Sequence, residues 1–369
     1  MIKIKGLLCG CLLAVSVPAV AGEADAVKEL IRGFQLRESR MASRDMAGWR
    51  EPKKVVVYGN LNRLQELRET FPGIEFTSGE TDEVLLKAMQ DADVYIGWCS
   101  SDLFEEPSSV HWVHSLAVGV ENCVSSEGFV ASKKILTNSQ RLSGPSIAEH
   151  AIAMMMMLVR GLDQYGAIKT TRDWDAPILP GQDAVWEING KTLLVVGLGG
   201  IGTETAKRGH GLGMNVIATR NSRREGPDYV SYVGLADELL TLTARADVII
   251  STVPITPKTT GLFDRNFFKT MKKSAYFINI ARGKSVVTDD LVEALNEGEL
   301  AGAGLDVTDP EPLPADHPLW EQPRVIITPH VAYRSELLRD RIWMVVRENL
   351  RRYAAGEKLL SQVNVERGY

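Results

Sequence analysis

The sequence predicts an α/β protein made of two doubly wound parallel-sheet domains. Three observations carry this. From Lys53 onward short β-branched or apolar runs alternate with helical stretches, the connections between them are short, and the pattern restarts at Lys191 after one long apolar helix. At about 150 residues per domain, 369 residues leave room for two. A hydrophobic fraction of 44% with a formal charge of −5 excludes disorder, and 32 Gly with 16 Pro are too few for collagen or low-complexity architecture. Forty-two Lys and Arg stand against 47 Asp and Glu with no basic stripe, so there is no electrostatic footprint for nucleic acid. The expected partner is a small molecule.

Taken in order, Lys3 and Lys5 precede an apolar run from Gly6 to Val17 that ends in Ala19-Val20-Ala21. A positive start, an apolar run too short to span a bilayer and a small-x-small site read as a signal peptide over residues 1–21. The expectation is an exported, periplasmic protein with no stable membrane anchor after cleavage; translation starting near Met41 or Met46 would instead leave it cytoplasmic. Cys9 and Cys11 would leave with the peptide. Nothing in the spacing of Cys99 and Cys123 shows that they meet, so free thiols are expected. Residues 22–52 form an N-terminal extension, in which Val27, Leu30, Ile31 and Phe34 recur at helical spacing.

In the first unit, residues 53–145, strands are expected at Val55–Tyr58, Ile74–Thr77, Asp93–Trp98, His111–Leu116 and Lys134–Thr137, with helices at Leu61–Phe71 and Asp82–Met89. Ser146–Gly161, with four consecutive methionines, is too short for a membrane span and reads as an interdomain core helix. The second unit has six expected strands: Thr192–Val196, Asn215–Thr219, Asp247–Thr252, Ala275–Ile280, Gly302–Val307 and Arg324–Thr328. Ser335–Ala355 is one amphipathic helix.

The run Val195-Val196-Gly197-Leu198-Gly199-Gly200-Ile201-Gly202 follows a strand and opens a helix. In that context Gly197 permits a tight turn, Gly199 admits a pyrophosphate to the backbone, and Gly202 packs helix on strand. Gly200 and Ile201 complete the loop, and the helix N-terminus faces the anion. An NAD site places a carboxylate at the end of the next strand, but here Thr219 is followed by Arg220, Asn221, Ser222, Arg223 and Arg224. Two cations and a hydroxyl suit a 2′-phosphate, so NADP(H) is preferred, with NAD(H) possible. Arg282, Glu311 and His330 each follow an expected strand of the second unit. In an open sheet such residues can converge as anion clamp, orienter and proton carrier, the set that carbonyl reduction by hydride requires. No metal is expected.

These motifs resemble the D-isomer-specific 2-hydroxyacid dehydrogenases from about Lys53 to the C-terminus. Ser115 to Asn122 resembles the family's substrate loop, Ala148-Glu149-His150 its interdomain helix, and Val253-Pro254 with Thr259-Thr260-Gly261, Asn279 to Gly283, Asp306 to Pro312 and Thr328-Pro329-His330 its later motifs. The resemblance implies a Rossmann cofactor domain at 146–331 and a flavodoxin-like substrate domain at 53–145, completed by 332–369, in a homodimer. It implies that Arg282 binds the 2-oxo acid, that His330 donates the proton and that Glu311 bonds the other imidazole nitrogen. Backbone N–H groups of Val118 and Gly119 would cradle the carboxylate; Val253, Pro254, Thr260, Ile280 and Ala281 would line the cofactor, and Asp306 would bind its carboxamide. Formate-type relatives carry an amide where this chain has Glu311, which favours hydroxyacid chemistry. Trp98, Tyr333 and Arg334 stand where they would narrow the cleft.

The expected activity is reduction of a small 2-oxo acid, glyoxylate- or hydroxypyruvate-like, to the D-2-hydroxy acid. The alternative is a non-catalytic dinucleotide-sensing binding protein on the same fold, which the intact Arg282, Glu311 and His330 set argues against.

Overall fold

The structure is a computed structural model in which residues 22–59, 61–105, 107–166, 168–175 and 185–368 are described. The expected signal peptide, with Cys9 and Cys11, lies outside them. Two parallel sheets form. The first holds β1 (Lys54–Tyr58), β2 (Glu75–Gly79), β3 (Val94–Gly97), β4 (Trp112–Ser115) and β5 (Ile135–Asn138) in the order β2-β1-β3-β4-β5. The second holds β6 (Thr192–Val196), β7 (Asn215–Thr219), β8 (Tyr232–Gly234), β9 (Val248–Ser251), β10 (Tyr276–Asn279), β11 (Gly302–Leu305) and β12 (Val325–Ile327). Its order, β12-β11-β10-β9-β6-β7-β8, reverses at the β6/β9 boundary, the switch point of a Rossmann sheet.

Both sheets are covered on both faces, so their strands read as continuous apolar runs: β3, β4, β5, β9 and β10 are buried at every position. Seven strands replace the six expected. The missed one, β8, has three residues and an exposed Tyr232 at the sheet edge, so it carries neither a β-branched run nor an alternation to detect.

The helix Gly144–Val159 places Ala151, Met154, Met155 and Leu158 in one core with Leu193, Val195, Ile250 and Ile278 of the second sheet. The last helix, Leu338–Ala354, returns to the first sheet, burying Trp343, Val346, Leu350 and Tyr353 among Val55, Val57 and Trp112. Tyr353 stacks on Trp112 with ring centroids 4.9 Å apart. The extension forms the helix Glu23–Gly33, and beyond it Leu36 is buried with Leu142, Leu338, Val345 and Leu360.

The expectation of free thiols is corrected: Cys99 and Cys123 form a disulfide. β3 and β4 are adjacent, with Gly97 in register with Ser115. Cys99 follows β3 and Cys123 lies in the short helix Glu121–Val124 after β4, so the parallel pairing brings both to one edge of the sheet. A separation of 24 residues in sequence could not show that.

Candidate active site

The register of the second sheet explains why its site residues meet. Val196, Thr219 and Gly234 align on one side, and Val196, Ser251, Asn279, Leu305 and Ile327 on the other, so all seven strands end on one line. The fingerprint glycines, Arg220, Val253, Arg282, Glu311 and His330 all follow those ends. In an open parallel sheet this carboxyl edge is where ligands bind.

Around the switch point the glycines have distinct physical roles. Gly197 has φ +98°, and a Cβ there would stand 3.1 Å from Val253 and 3.2 Å from the Thr252 backbone. At Gly202 a Cβ would lie 2.2 Å from the Gly197 carbonyl oxygen, so only glycine lets the helix Gly200–Gly211 close on the turn. The Thr252 hydroxyl donates to that same carbonyl at 2.6 Å, and the Gly197 amide donates to Thr219 Oγ1 at 3.3 Å. At Gly199, by contrast, nothing lies within 4 Å of a Cβ position. Open space there, beside the unpaired first-turn amides of a helix, fits a dinucleotide pyrophosphate.

Arg220 leaves the end of β7 with its amide donating to Gly234, and its Nε is buried with no hydrogen-bond partner among the described residues. Burial, then the charges of Arg223 and Arg37, lower the pKa of its guanidinium. That is an environment short of an anion. Asn221, Ser222 and Arg223 are exposed beside it. Arg224 turns away, pairing with Glu238 at 2.7 Å and with the Tyr232 hydroxyl at 3.0 Å. Val253, Ile280 and Ala281 are buried walls, and Pro254 accepts from the Thr259 hydroxyl at 2.6 Å. The Thr260 hydroxyl closes a turn on the Thr256 carbonyl.

Arg282 is held by a turn built from its own strand end. Buried Asn279 donates to the Arg282 carbonyl at 3.0 Å and accepts from the Ala281 amide at 3.1 Å, while Ser285 donates to the same Arg282 carbonyl at 2.7 Å. Directly after it, a Cβ on Gly283 would fall 1.8 Å from the Thr308 carbonyl oxygen. Glycine there lets the Arg282 turn and the loop that carries Glu311 lie against each other. Glu311 Oε1 is 2.7 Å from His330 Nδ1, and both side chains are about two-fifths exposed, at 41% and 42%. No hydrogen bond to His330 Nε2 occurs among the described residues.

Asp306, expected only as a cofactor contact, anchors the segment around His330. Its carboxylate accepts from Thr328 Oγ1 at 2.6 Å and from the amides of Val331 and Ala332 at 2.9 and 3.0 Å. His150 Nε2 lies 2.9 Å from the Thr328 hydroxyl, which ties the interdomain helix to the same cluster.

The first sheet contributes from across the cleft. Val118 and Gly119 follow β4, and among the described residues neither amide donates a hydrogen bond. The Val118 carbonyl accepts from Asn138 at 2.6 Å, fixing the loop. A Cβ on Gly119 would sit 2.0 Å from Arg282 Nη2. The glycine therefore lets the guanidinium reach the loop. Glu121 Oε1, at the start of the short helix after β4, accepts from Arg282 Nε at 2.8 Å, and Arg282 Nη1 donates to Ala281 O at 2.7 Å. Sequence reading gave roles to neither Glu121 nor Asn279. Both lay inside quoted motifs; the Glu121 contact spans 161 residues and leaves no local signal, whereas the Asn279 side chain bonds the turn that follows it. Trp98 and Tyr333 are exposed, at 46% and 41%.

Residues 152–332 match the NAD binding domain of the D-isomer specific 2-hydroxyacid dehydrogenases. The chain belongs to this family of nicotinamide-dependent dehydrogenases and has its two-domain α/β fold. It is 31% identical to the glyoxylate reductase of Thermofilum pendens, over 77% of this chain and 85% of that one. Among solved structures, it is similar to a probable 2-hydroxyacid dehydrogenase from Rhizobium etli in complex with NADP, HEPES and L(+)-tartaric acid. That likeness is 28% identity with TM-score 0.70, over 86% of this chain and 100% of the other. It is likewise similar to an NADPH-dependent glyoxylate/hydroxypyruvate reductase from Sinorhizobium meliloti in complex with NADP and sulfate, at 25% identity, TM-score 0.72, and coverage of 86% and 100%.

Proposed function

We propose that this protein reduces a small 2-oxo acid, of the glyoxylate or hydroxypyruvate kind, to the D-2-hydroxy acid at the expense of NADPH. The single observation that carries this reading is the His330–Glu311 pair at 2.7 Å, set beside an arginine that reaches a loop of undonated amides. Arg282, with the amides of Val118 and Gly119, binds the substrate carboxylate and orients the neighbouring carbonyl. His330 Nε2 delivers the proton to the carbonyl oxygen, and takes it back in the reverse direction. Glu311 holds Nδ1, which leaves Nε2 as the transferring nitrogen. When bound, the reduced nicotinamide supplies the hydride to the carbonyl carbon.

Preference for NADP(H) is supported by Arg220, whose buried Nε lacks a partner, and by the absence of a carboxylate before Glu225 on the loop after β7. The Rhizobium and Sinorhizobium structures, both in complex with NADP, point the same way. Initial rates for a panel of 2-oxo acids with each cofactor test the reading. We expect kcat/KM to favour NADPH over NADH at least tenfold, in line with one or more charge-assisted phosphate contacts. Equal use of the two cofactors would refute the preference, and inertness towards every acid would refute the activity.

We further propose that the protein works as a homodimer after export, its first 21 residues removed. The Cys99–Cys123 disulfide supports an oxidising compartment, where such bonds persist. Intact-mass analysis of the native protein is expected to find Gly22 at the N-terminus and both thiols oxidised. A chain retaining Met1, or beginning near Met41, would contradict export.

A further inference from the structure

The extension ahead of the first sheet is pinned beside the dinucleotide loop. After the helix Glu23–Gly33, Gln35 turns at φ +49° and Leu36 is buried. The Arg37 carbonyl accepts from the Ser361 amide at 2.8 Å, and Ser39 donates its amide to the Leu359 carbonyl at 2.7 Å. Glu38 pairs with Arg352 at 2.8 Å. The backbone of residues 36–39 is therefore fixed, while the Arg37 side chain is exposed and makes no hydrogen bond or ion pair among the described residues.

At its turn into Leu36 the extension meets a convergence of cations. Arg141 donates to the Phe34 carbonyl at 3.5 Å and to Gln35 Oε1 at 3.4 Å, and its Cγ lies 2.8 Å from where a Cβ on Gly200 would stand. It thus bridges the extension and the first turn of the fingerprint helix. Arg220 enters from β7, with its Nε buried and unpartnered. Burial lowers the guanidinium pKa of both Arg141 and Arg220, and the charge of Arg37 adds to the lowering of each. The nearby acids offset little: Glu204 is committed to Arg208 at 2.6 Å, and Glu225 is exposed. Three arginines from three separate segments, with Arg223 at the rim, make a field that a multiply charged anion would relieve.

We infer, resting on the NADP(H) reading above, that Arg37 is a specificity residue of the dinucleotide site, and that the extension carries it there to hold the cofactor's 2′-phosphate together with Arg220. A function follows for a segment that lies outside both sheet units. Arg37 shares its surroundings with the arginine that ends β7, where the ribose end of a dinucleotide lies in this fold, so the 2′-phosphate is the group it meets.

Calorimetric titration of the full chain with 2′,5′-ADP and with ADP separates the possibilities without turnover. For Arg37→Ala we expect affinity for 2′,5′-ADP to fall about tenfold, the size of one charge-assisted contact, and affinity for ADP to change less than twofold. Arg37→Lys should recover part of the loss. The side chain is exposed, so the variants should keep the wild-type circular dichroism. An unchanged affinity for 2′,5′-ADP in Arg37→Ala, alongside a loss in Arg220→Ala, would overturn this role while leaving the cofactor preference standing. Equal losses for both ligands in Arg37→Ala would overturn the assignment to the 2′-phosphate. Wild-type protein that binds NADH as tightly as NADPH would remove the preference and this role together.

Discussion

His330→Ala is expected to lower kcat/KM for 2-oxo acid reduction by about 10²- to 10⁴-fold, the usual worth of a positioned proton donor. The side chain follows β12 on the same sheet edge as Arg282, and its Nδ1 is committed to Glu311 at 2.7 Å. Removing the ring deletes the proton source but touches neither the fingerprint turn nor Arg220, so NADPH affinity should stay within about twofold in a fluorescence titration. Glu311→Gln should lose less, because the amide oxygen can still accept a hydrogen bond from Nδ1 and keep the ring oriented. Steady-state kinetics on the two variants, with the dinucleotide titration beside them, check the assignment. A His330→Ala enzyme within tenfold of wild type would mean that the proton comes from elsewhere.

Arg282→Ala should be comparably damaging, with a different signature. The guanidinium is braced by Glu121 at 2.8 Å and by the Ala281 carbonyl at 2.7 Å, and it stands against Gly119. Its loss removes the cation that the substrate carboxylate needs and leaves Glu121 without its partner, facing an anionic substrate. Both effects weaken binding of the substrate and of its transition state, so KM should rise and kcat/KM fall about 10²- to 10³-fold. Arg282→Lys should recover little, because an ammonium cannot reproduce a fork that engages Glu121 and a ligand at once. Substrate-saturation curves read the split between KM and kcat directly. Unchanged KM values for both variants would remove Arg282 from carboxylate binding.

Much of this site was legible in the chain because its chemistry lies at strand ends. Strands buried on both faces announce themselves as apolar runs, and in a parallel sheet the residues that follow those runs share one edge. Gly197 to Gly202, Arg220, Arg282, Glu311 and His330 therefore fall on one edge from the sequence alone. Contacts made across the cleft left no such trace. Glu121 reaches Arg282 over 161 residues, Cys99 meets Cys123 only because β3 pairs with β4, and Arg37 gains its neighbours because Leu36 packs against Leu142 and Leu360. β8 escaped for a local reason: three residues ending in glycine at a sheet edge carry no periodicity. Arg224, next in sequence to the cations assigned to the cofactor, spends its charge on Glu238.

The most direct test is to follow NADPH oxidation with hydroxypyruvate and to determine the configuration of the product. The proposed function predicts stoichiometric oxidation of NADPH and release of D-glycerate, with Arg282 and the amides of Val118 and Gly119 taking the carboxylate and His330 delivering the proton. Release of the L-isomer or of a racemate, or a steady NADPH signal in the presence of hydroxypyruvate and glyoxylate alike, would contradict it.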